Sequence, residues 1–292
     1  MMKIIIDSTT DLPKELIEKY DIDVLPLRVL INDKEYTDKE TITVDEVYDA
    51  MKRGICPKTS LPNPKRTYEL FKEYASKGID FIFYSFSSKL SSTFQNAFLI
   101  IEELKEEFPK VKMVALDTRA GSIGAGLIAL QGAKLAEKGF SFENILRISK
   151  DCIKHIEHVF TIDDLNWLLK GGRIKKSSAL IGNALNIKPI LDVKDGEMRV
   201  IKKIRGRKKA LQTIVNILEE RIKNFPNQII GIAHADDFQT VLELKDMIVK
   251  KLGHNKNIII EKIGSVLGSH LGIGGVGIFF FNQEPEEYIN EL

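Results

Sequence analysis

Short apolar runs alternate with helix-patterned segments through the first half of the chain. That alternation restricts the fold more than any single motif does. Lys3 to Asp7, Ile79 to Phe86 and Val111 to Leu116 read as strands without polar alternation. Strands of this kind are covered on both faces, as in a parallel sheet flanked by helices. Helix signals separate them. Asp11 reads as an N-cap before Pro13, Thr43-Val44-Asp45-Glu46 is a capping-box pattern, and Asn63 precedes Pro64 at a helix start. Further helices are expected from Thr93 towards Glu107, from Gly121 to about Lys138 and from Phe142 to about Glu157. In the Gly121 helix, Gly124, Ala125, Gly126 and Ala129 admit a ligand or a second backbone, or are plain packing. Ile22 to Ile31 reads as extended.

After His158 the pattern changes. A strand from Val159 to Ile162 and a short helix from Asp164 to Leu169 are followed by a helix near Ser178 to Leu185. Two strand-like runs, Pro189 to Val193 and Glu197 to Ile204, flank Asp195-Gly196, a hairpin signal. A long helix follows, then strand Gln228 to His234, helix Phe238 to Leu252, and strands Ile258 to Ile263 and Val276 to Phe281. A chain of 292 residues rarely builds one core. The expected fold class is therefore α/β, in two α/β-type domains. Residues 1–158 form the first, with a mainly parallel sheet, and 159–292 the second, α+β with a mixed sheet. No long linker separates them, so a ligand cleft is expected between them. The tail from Asn282 is acidic and is expected to fray.

Three stretches carry chemistry. Pro57-Lys58-Thr59-Ser60-Leu61-Pro62-Asn63-Pro64 is a proline-stiffened loop with two adjacent hydroxyls. Ser87-Ser88-Lys89-Leu90-Ser91-Ser92-Thr93 places five hydroxyls in seven positions at a strand–helix junction. Simple capping needs one, so the junction reads as an anion site. Gly264 to Gly277 holds one histidine, His270, with two serines and six glycines. Glycine permits close backbone approach, so this reads as a loop shaped around a ligand or as a tight strand connection. Hydroxyls, helix-start amides and one imidazole suit a carboxylate or phosphate. Phe81, Phe83, Phe279 and nearby aliphatics suit an apolar tail. About fifteen buried methylenes at 0.8 kcal/mol each give a gross ~12 kcal/mol, enough for tight binding without catalytic machinery.

Much is absent from the sequence. It has no phosphate loop, no G-x-G-x-x-G after the first strand, no zinc-protease helix and no nucleophile elbow. Apolar runs are too short for a bilayer span and no signal-peptide pattern opens the chain, so a cytoplasmic protein without stable membrane insertion is expected. Cys56 and Cys152 have no metal or redox spacing, and no metal or other cofactor is expected. His155 and His158 read as a surface pair at a helix end. Charge is uneven. Lys170 to Lys209 holds thirteen Lys/Arg and three Asp/Glu, while the whole chain carries only +2. That hints at an acidic partner. Nucleic acid is disfavoured, because aromatic interleaving is missing.

Several segments together resemble the DegV family of bacterial fatty-acid-binding proteins, which includes the binding subunits of fatty-acid kinase. Ile6-Asp7-Ser8-Thr9-Thr10-Asp11-Leu12-Pro13 is similar to the family's start. Lys58-Thr59-Ser60-Leu61-Pro62 resembles its T-S-Q-P loop, with Leu61 in place of glutamine. Ser87 to Gln95 resembles S-S-x-L-S-G-T-Y-Q, with Ser92 for glycine. Leu169-Lys170-Gly171-Gly172-Arg173-Ile174 matches L-K-G-G-R-I, and the His270 loop resembles G-x-H-x-G-P-G with Ile273 for proline. The resemblance implies a long-chain fatty acid held between two domains. Its head group would meet Thr59, Ser60, Ser91, Ser92 and His270, and the protein itself would have no catalytic residue. It also implies presentation of the acyl group to a separate ATP-dependent kinase. The two basic clusters, with Arg173 and Arg205 singled out, read either as a dock for an acidic surface of such a partner or as a solvated face. The competing reading is a Ser91/His270 or phosphotransfer enzyme acting on an acyl or small ligand; no orienting acid is identified for it.

Overall fold

The computed structural model describes residues 2–175, 186–253 and 257–292. The helix expected at 178–185 and Lys176 lie outside the described residues.

The first half runs β1 Lys3–Asp7, α1 Lys14–Lys19, β2 Asp23–Leu25, β3 Arg28–Ile31, β4 Lys34–Thr37, α2 Val44–Lys52 and β5 Lys58–Ser60. It continues with α3 Pro64–Ser76, β6 Phe81–Ser85, α4 Thr93–Glu107, β7 Met113–Asp117, α5 Ser122–Glu137 and α6 Phe142–His155. The second half runs β8 Ile156–Thr161, α7 Asn166–Lys170, β9 Ile187–Lys194, β10 Glu197–Arg205 and α8 Arg207–Arg221. Then come β11 Ile229–His234, α9 Phe238–Leu252, β12 Asn257–Lys262, α10 Ser265–Leu271 and β13 Val276–Phe281.

A parallel four-stranded sheet, ordered β2-β1-β6-β7, forms the first half, and a mixed six-stranded sheet, ordered β10-β9-β8-β13-β11-β12, the second. A small antiparallel sheet, β4-β3-β5, sits beside them. The extended run Ile22–Ile31 is thus two strands in different sheets, and the expected loop at Thr59 is a strand paired with Val29. Predicted caps recur. Thr43 and Glu46 form both halves of a capping box, and Asn63 accepts from Lys65 N. Asp195 and Gly196 both take positive φ in the β9–β10 turn, as a type I′ hairpin requires.

Helix α5 sits between the two main sheets, touching β1 and β6 on one side and β8, β11 and β13 on the other. Every residue from Ser122 to Leu135 is buried. A helix apolar on most of its surface belongs inside a fold, and here small residues set the spacing. A Cβ on Gly132 would lie 2.0 Å from Tyr84 Oη, and one on Gly126 2.8 Å from Leu12 Cδ2. The small residues Gly126 and Gly132 therefore serve packing. One apolar cluster joins Ile4, Ile6 and Ile82 to Ile229, Phe279 and Phe281 through this helix. The mixed sheet already begins at Ile156, within the first expected domain.

The C-terminal tail is pinned. Gln131 Nε2 and Lys134 Nζ donate to Ile289 O at 3.0 and 3.1 Å, and Ile229 N donates to Tyr288 Oη at 3.0 Å. The expectation of fraying failed because those partners are far away in sequence.

Candidate functional site

Three elements converge on one polar end. The strand pairing of β5 with β3 carries Thr59, the start of α4 carries Ser91 and Ser92, and α10 carries His270. Helix α10 packs against β3, β5 and α7. The glycine-rich loop is therefore largely a helix, Ser265–Leu271. Its glycines hide that, since glycine is a poor helix former; Gly268 is there because a Cβ would meet Tyr48 Oη at 2.5 Å. Thr59 Oγ1 and His270 Nε2 lie 2.7 Å apart. Gly171 packs on the ring's other nitrogen, with a virtual Cβ only 2.2 Å from His270 Nδ1.

Ser91 Oγ shares a 2.9 Å hydrogen bond with Thr93 Oγ1 and accepts from Thr93 N at 3.3 Å. It therefore caps the helix start while facing the cavity. Ser92 is exposed and lies on the cavity rim. Ser60 Oγ accepts from Arg28 Nη2 at 3.0 Å, and Arg28 Nε donates to Leu61 O at 3.0 Å. Arg28 fixes this strand end from 32 residues away, which no local signal reveals. Arg173 lines the cavity and donates to Leu90 O at 3.1 Å and Gly171 O at 2.6 Å. It joins the α7 end to the Ser91 turn. Burial, reinforced by the Arg173 charge, pushes His270 down to about 4, so its ring is neutral near pH 7.

From this end a cavity of about 250 Å³ extends along the mixed sheet, walled on its other sides by α10, β5 and the loops around Phe86–Ser92 and Ala120–Ser122. Leu27, Phe86, Phe160, Ile162, Val266 and Phe279 are among its apolar lining. Phe279 was expected there. Phe81 and Phe83 were too, but they pack with Phe71 on the opposite face of β6, while Ile82 and Tyr84 face α5. Asp11 is not the α1 cap, a place taken by Pro13. Its carboxylate accepts from Gly264 N at 3.0 Å and Ser122 Oγ at 2.6 Å, tying the starts of α10 and α5 together. Burial lifts it to about 7.

The basic stretch is partly consumed inside the fold. Arg199 pairs with Asp192, Lys188 with Asp163, and Arg207 with Asp163 and Asp237. Lys175 Nζ meets Glu197 Oε2 at 2.9 Å, at one end of β10. Arg205 is exposed at the other end of that strand, roughly 26 Å away at about 3.3 Å per residue. The two arginines proposed from sequence are thus not neighbours; only Arg173 stands at the polar end.

Residues 1–283 match the family model described as an uncharacterised protein of the DegV family. The chain belongs to the DegV family. A DegV domain-containing protein of Clostridium perfringens is 38% identical over 96% of this chain and 97% of its own length. A DegV family protein from Thermus thermophilus, described for its fatty acid binding, superposes with a TM-score of 0.85 at 29% identity, covering 96% and 99% of the two chains. A stearic acid-binding protein from Eubacterium ventriosum gives a TM-score of 0.87 at 27% identity, covering 96% and 97%. No helix among the described residues of this DegV chain is long and apolar enough to cross a membrane.

One cavity residue of this DegV protein escaped the sequence reading. His158 is not half of a surface pair. Helix α6 ends at His155, and His158 sits on β8, 3% exposed and lining the cavity. Burial pushes it down to about 4. The folded ring resists protonation while the unfolded ring titrates near 6.5. Stability is therefore unaffected by this group above pH 6.5 and falls as pH drops towards 4. At pH 5 the cost is about 2 kcal/mol relative to pH 7.5. Urea unfolding of His158→Gln should show a correspondingly smaller loss between those two pH values than wild type. Equal losses would mean that His158 is not buried neutral.

Proposed function

We propose that this chain binds a long-chain fatty acid, with the carboxylate at Thr59, Ser60, Ser91, Ser92 and His270 and the acyl chain in the cavity. The observation that carries this reading is the Thr59–His270 contact at the polar end of an otherwise apolar cavity. Hydroxyl donors, the start of the 15-residue helix α4 and the nearby Arg173 guanidinium all favour an anion there. The fatty acid binding named for the Thermus thermophilus and Eubacterium ventriosum relatives supports the same ligand class.

The finer reading is that of a non-catalytic, cytoplasmic carrier subunit that presents its lipid to a separate ATP-dependent kinase for acyl phosphate formation, without nucleic acid or stable membrane insertion. Arg173, beside the carboxylate, would meet an acidic surface of that partner, and Arg205 would extend the contact along β10. The competing serine–histidine enzyme is disfavoured by geometry. Ser91 Oγ is bonded to Thr93 and His270 Nε2 to Thr59, so the two do not form a nucleophile–base pair.

Calorimetry on delipidated protein tests the head-group assignment. Palmitate should bind at least tenfold more tightly than methyl palmitate, because the ester removes the charged acceptor. Equal affinities would place the carboxylate elsewhere.

A further inference from the structure

Three glycines among the described residues line the cavity, Gly121, Gly275 and Gly277. Two are explained by the protein's own packing. A Cβ on Gly121 would lie 2.5 Å from Phe86 Cε2, and one on Gly277 2.8 Å from Phe160 Cβ. Gly275 is different. A Cβ there would meet Ile162 Cγ2 at 3.4 Å, Ala235 Cβ at 3.5 Å and Thr161 O at 3.7 Å, all ordinary contact distances. Nor does its φ demand glycine. Gly272 and Gly274 have φ of +77° and +86°, whereas Gly275 lies outside the left-handed region. Gly275 O accepts from Ala235 N at 2.7 Å, which carries the β11–β13 ladder one residue past the His234–Val276 pair. Glycine weakens a ladder, since it orders a freer backbone and offers no side chain to pack. Among the described residues, neither backbone nor packing reserves this position for it.

The bare face of Gly275 is the cavity face. Along β13, Val276, Ile278 and Phe280 join the cluster under α8 and α9, while Phe279 turns the other way. Strand alternation puts Gly275 with Gly277 and Phe279, and both of those line the cavity. Ile162, which a Cβ on Gly275 would touch, lines it too. The flanks of such a Cβ are taken by Ile162, Ala235 and Thr161. Atoms beyond the Cβ would therefore enter the cavity. None of those three neighbours belongs to the head-group set on β5, α4 and α10, so the intrusion would meet the acyl chain and not the carboxylate.

We propose that Gly275 is a specificity-determining residue, whose missing side chain leaves the space through which the far part of a long acyl chain runs. This rests on the fatty-acid reading above and deepens it to a preference for chain length. A chain that ends before Gly275 does not feel a side chain placed there. A chain that must pass it loses room in a packed channel, where added methyl groups are costly.

The test is displacement of a fluorescent fatty acid from delipidated protein by decanoate, laurate, palmitate and stearate. Wild-type affinity should rise along the series, because each further buried methylene adds to binding. In Gly275→Val, stearate should bind about tenfold or more weakly while decanoate stays within about twofold, so that the preference moves to shorter chains. Gly275→Ala should move the profile in the same direction by less. Its single methyl displaces no described atom, so it answers the question if the valine variant does not fold. Equal losses at every chain length would make Gly275 a structural residue, and an unchanged profile would mean that the acyl chain does not run past it. Either result overturns the proposal. Wild-type protein that binds none of the four acids would instead overturn the fatty-acid reading itself.

Discussion

Gly171→Ala should weaken palmitate binding about as much as His270→Ala, by roughly 5- to 150-fold, or 1–3 kcal/mol. The reasoning is geometric. Gly171 has φ of −73°, which alanine adopts without strain, so the backbone has no reason to move. The added methyl would sit 2.2 Å from His270 Nδ1, well inside contact distance. The imidazole must shift, and its 2.7 Å contact with Thr59 is lost. His270→Ala removes the same partner directly. Since Gly171 itself offers no side chain to a ligand, a loss in Gly171→Ala reports the position of His270 and not its chemistry. Calorimetry gives the affinities, and urea unfolding confirms that both variants remain folded. Wild-type affinity in both would show that the head group does not lie at His270.

Gly132→Ala is expected to destabilise the fold by about 1–3 kcal/mol, against the direction that helix propensity alone predicts. Alanine favours a helix interior over glycine by about 1 kcal/mol. Here the methyl would lie 2.0 Å from Tyr84 Oη, which shares a 2.7 Å hydrogen bond with Ser149 Oγ. Tyr84 is 1% exposed and has nowhere to retreat. Overpacking therefore outweighs propensity. Urea unfolding of the variant measures the balance, and a protein as stable as wild type or more so would mean that α5 is not clamped between the sheets.

The parallel sheet and its helices were legible because each β–α unit is local, with its apolar run, cap and breaker close together in sequence. The polar end was legible for a related reason. Thr59, Ser91 and His270 stand out as hydroxyl clusters and as a lone imidazole among glycines, and the DegV resemblance joined them. Features that depend on distant partners were not legible. Arg28 acts on a strand end 32 residues away, and Asp11 binds Gly264 across 253 residues. His158 was misplaced because no glycine or proline marks the passage from α6 to β8, so a helical pattern runs on through Ile156 and Glu157. Phe81 and Phe83 were set at the cavity, which no residue of β6 lines, because a doubly covered strand has no polar side to show which layer each of its faces meets.

The central claim is tested most directly by organic extraction of the purified protein followed by mass spectrometry. A long-chain fatty acid near one per chain is the predicted result. Protein that yields no lipid, and takes up neither added oleate nor added palmitate, would contradict it.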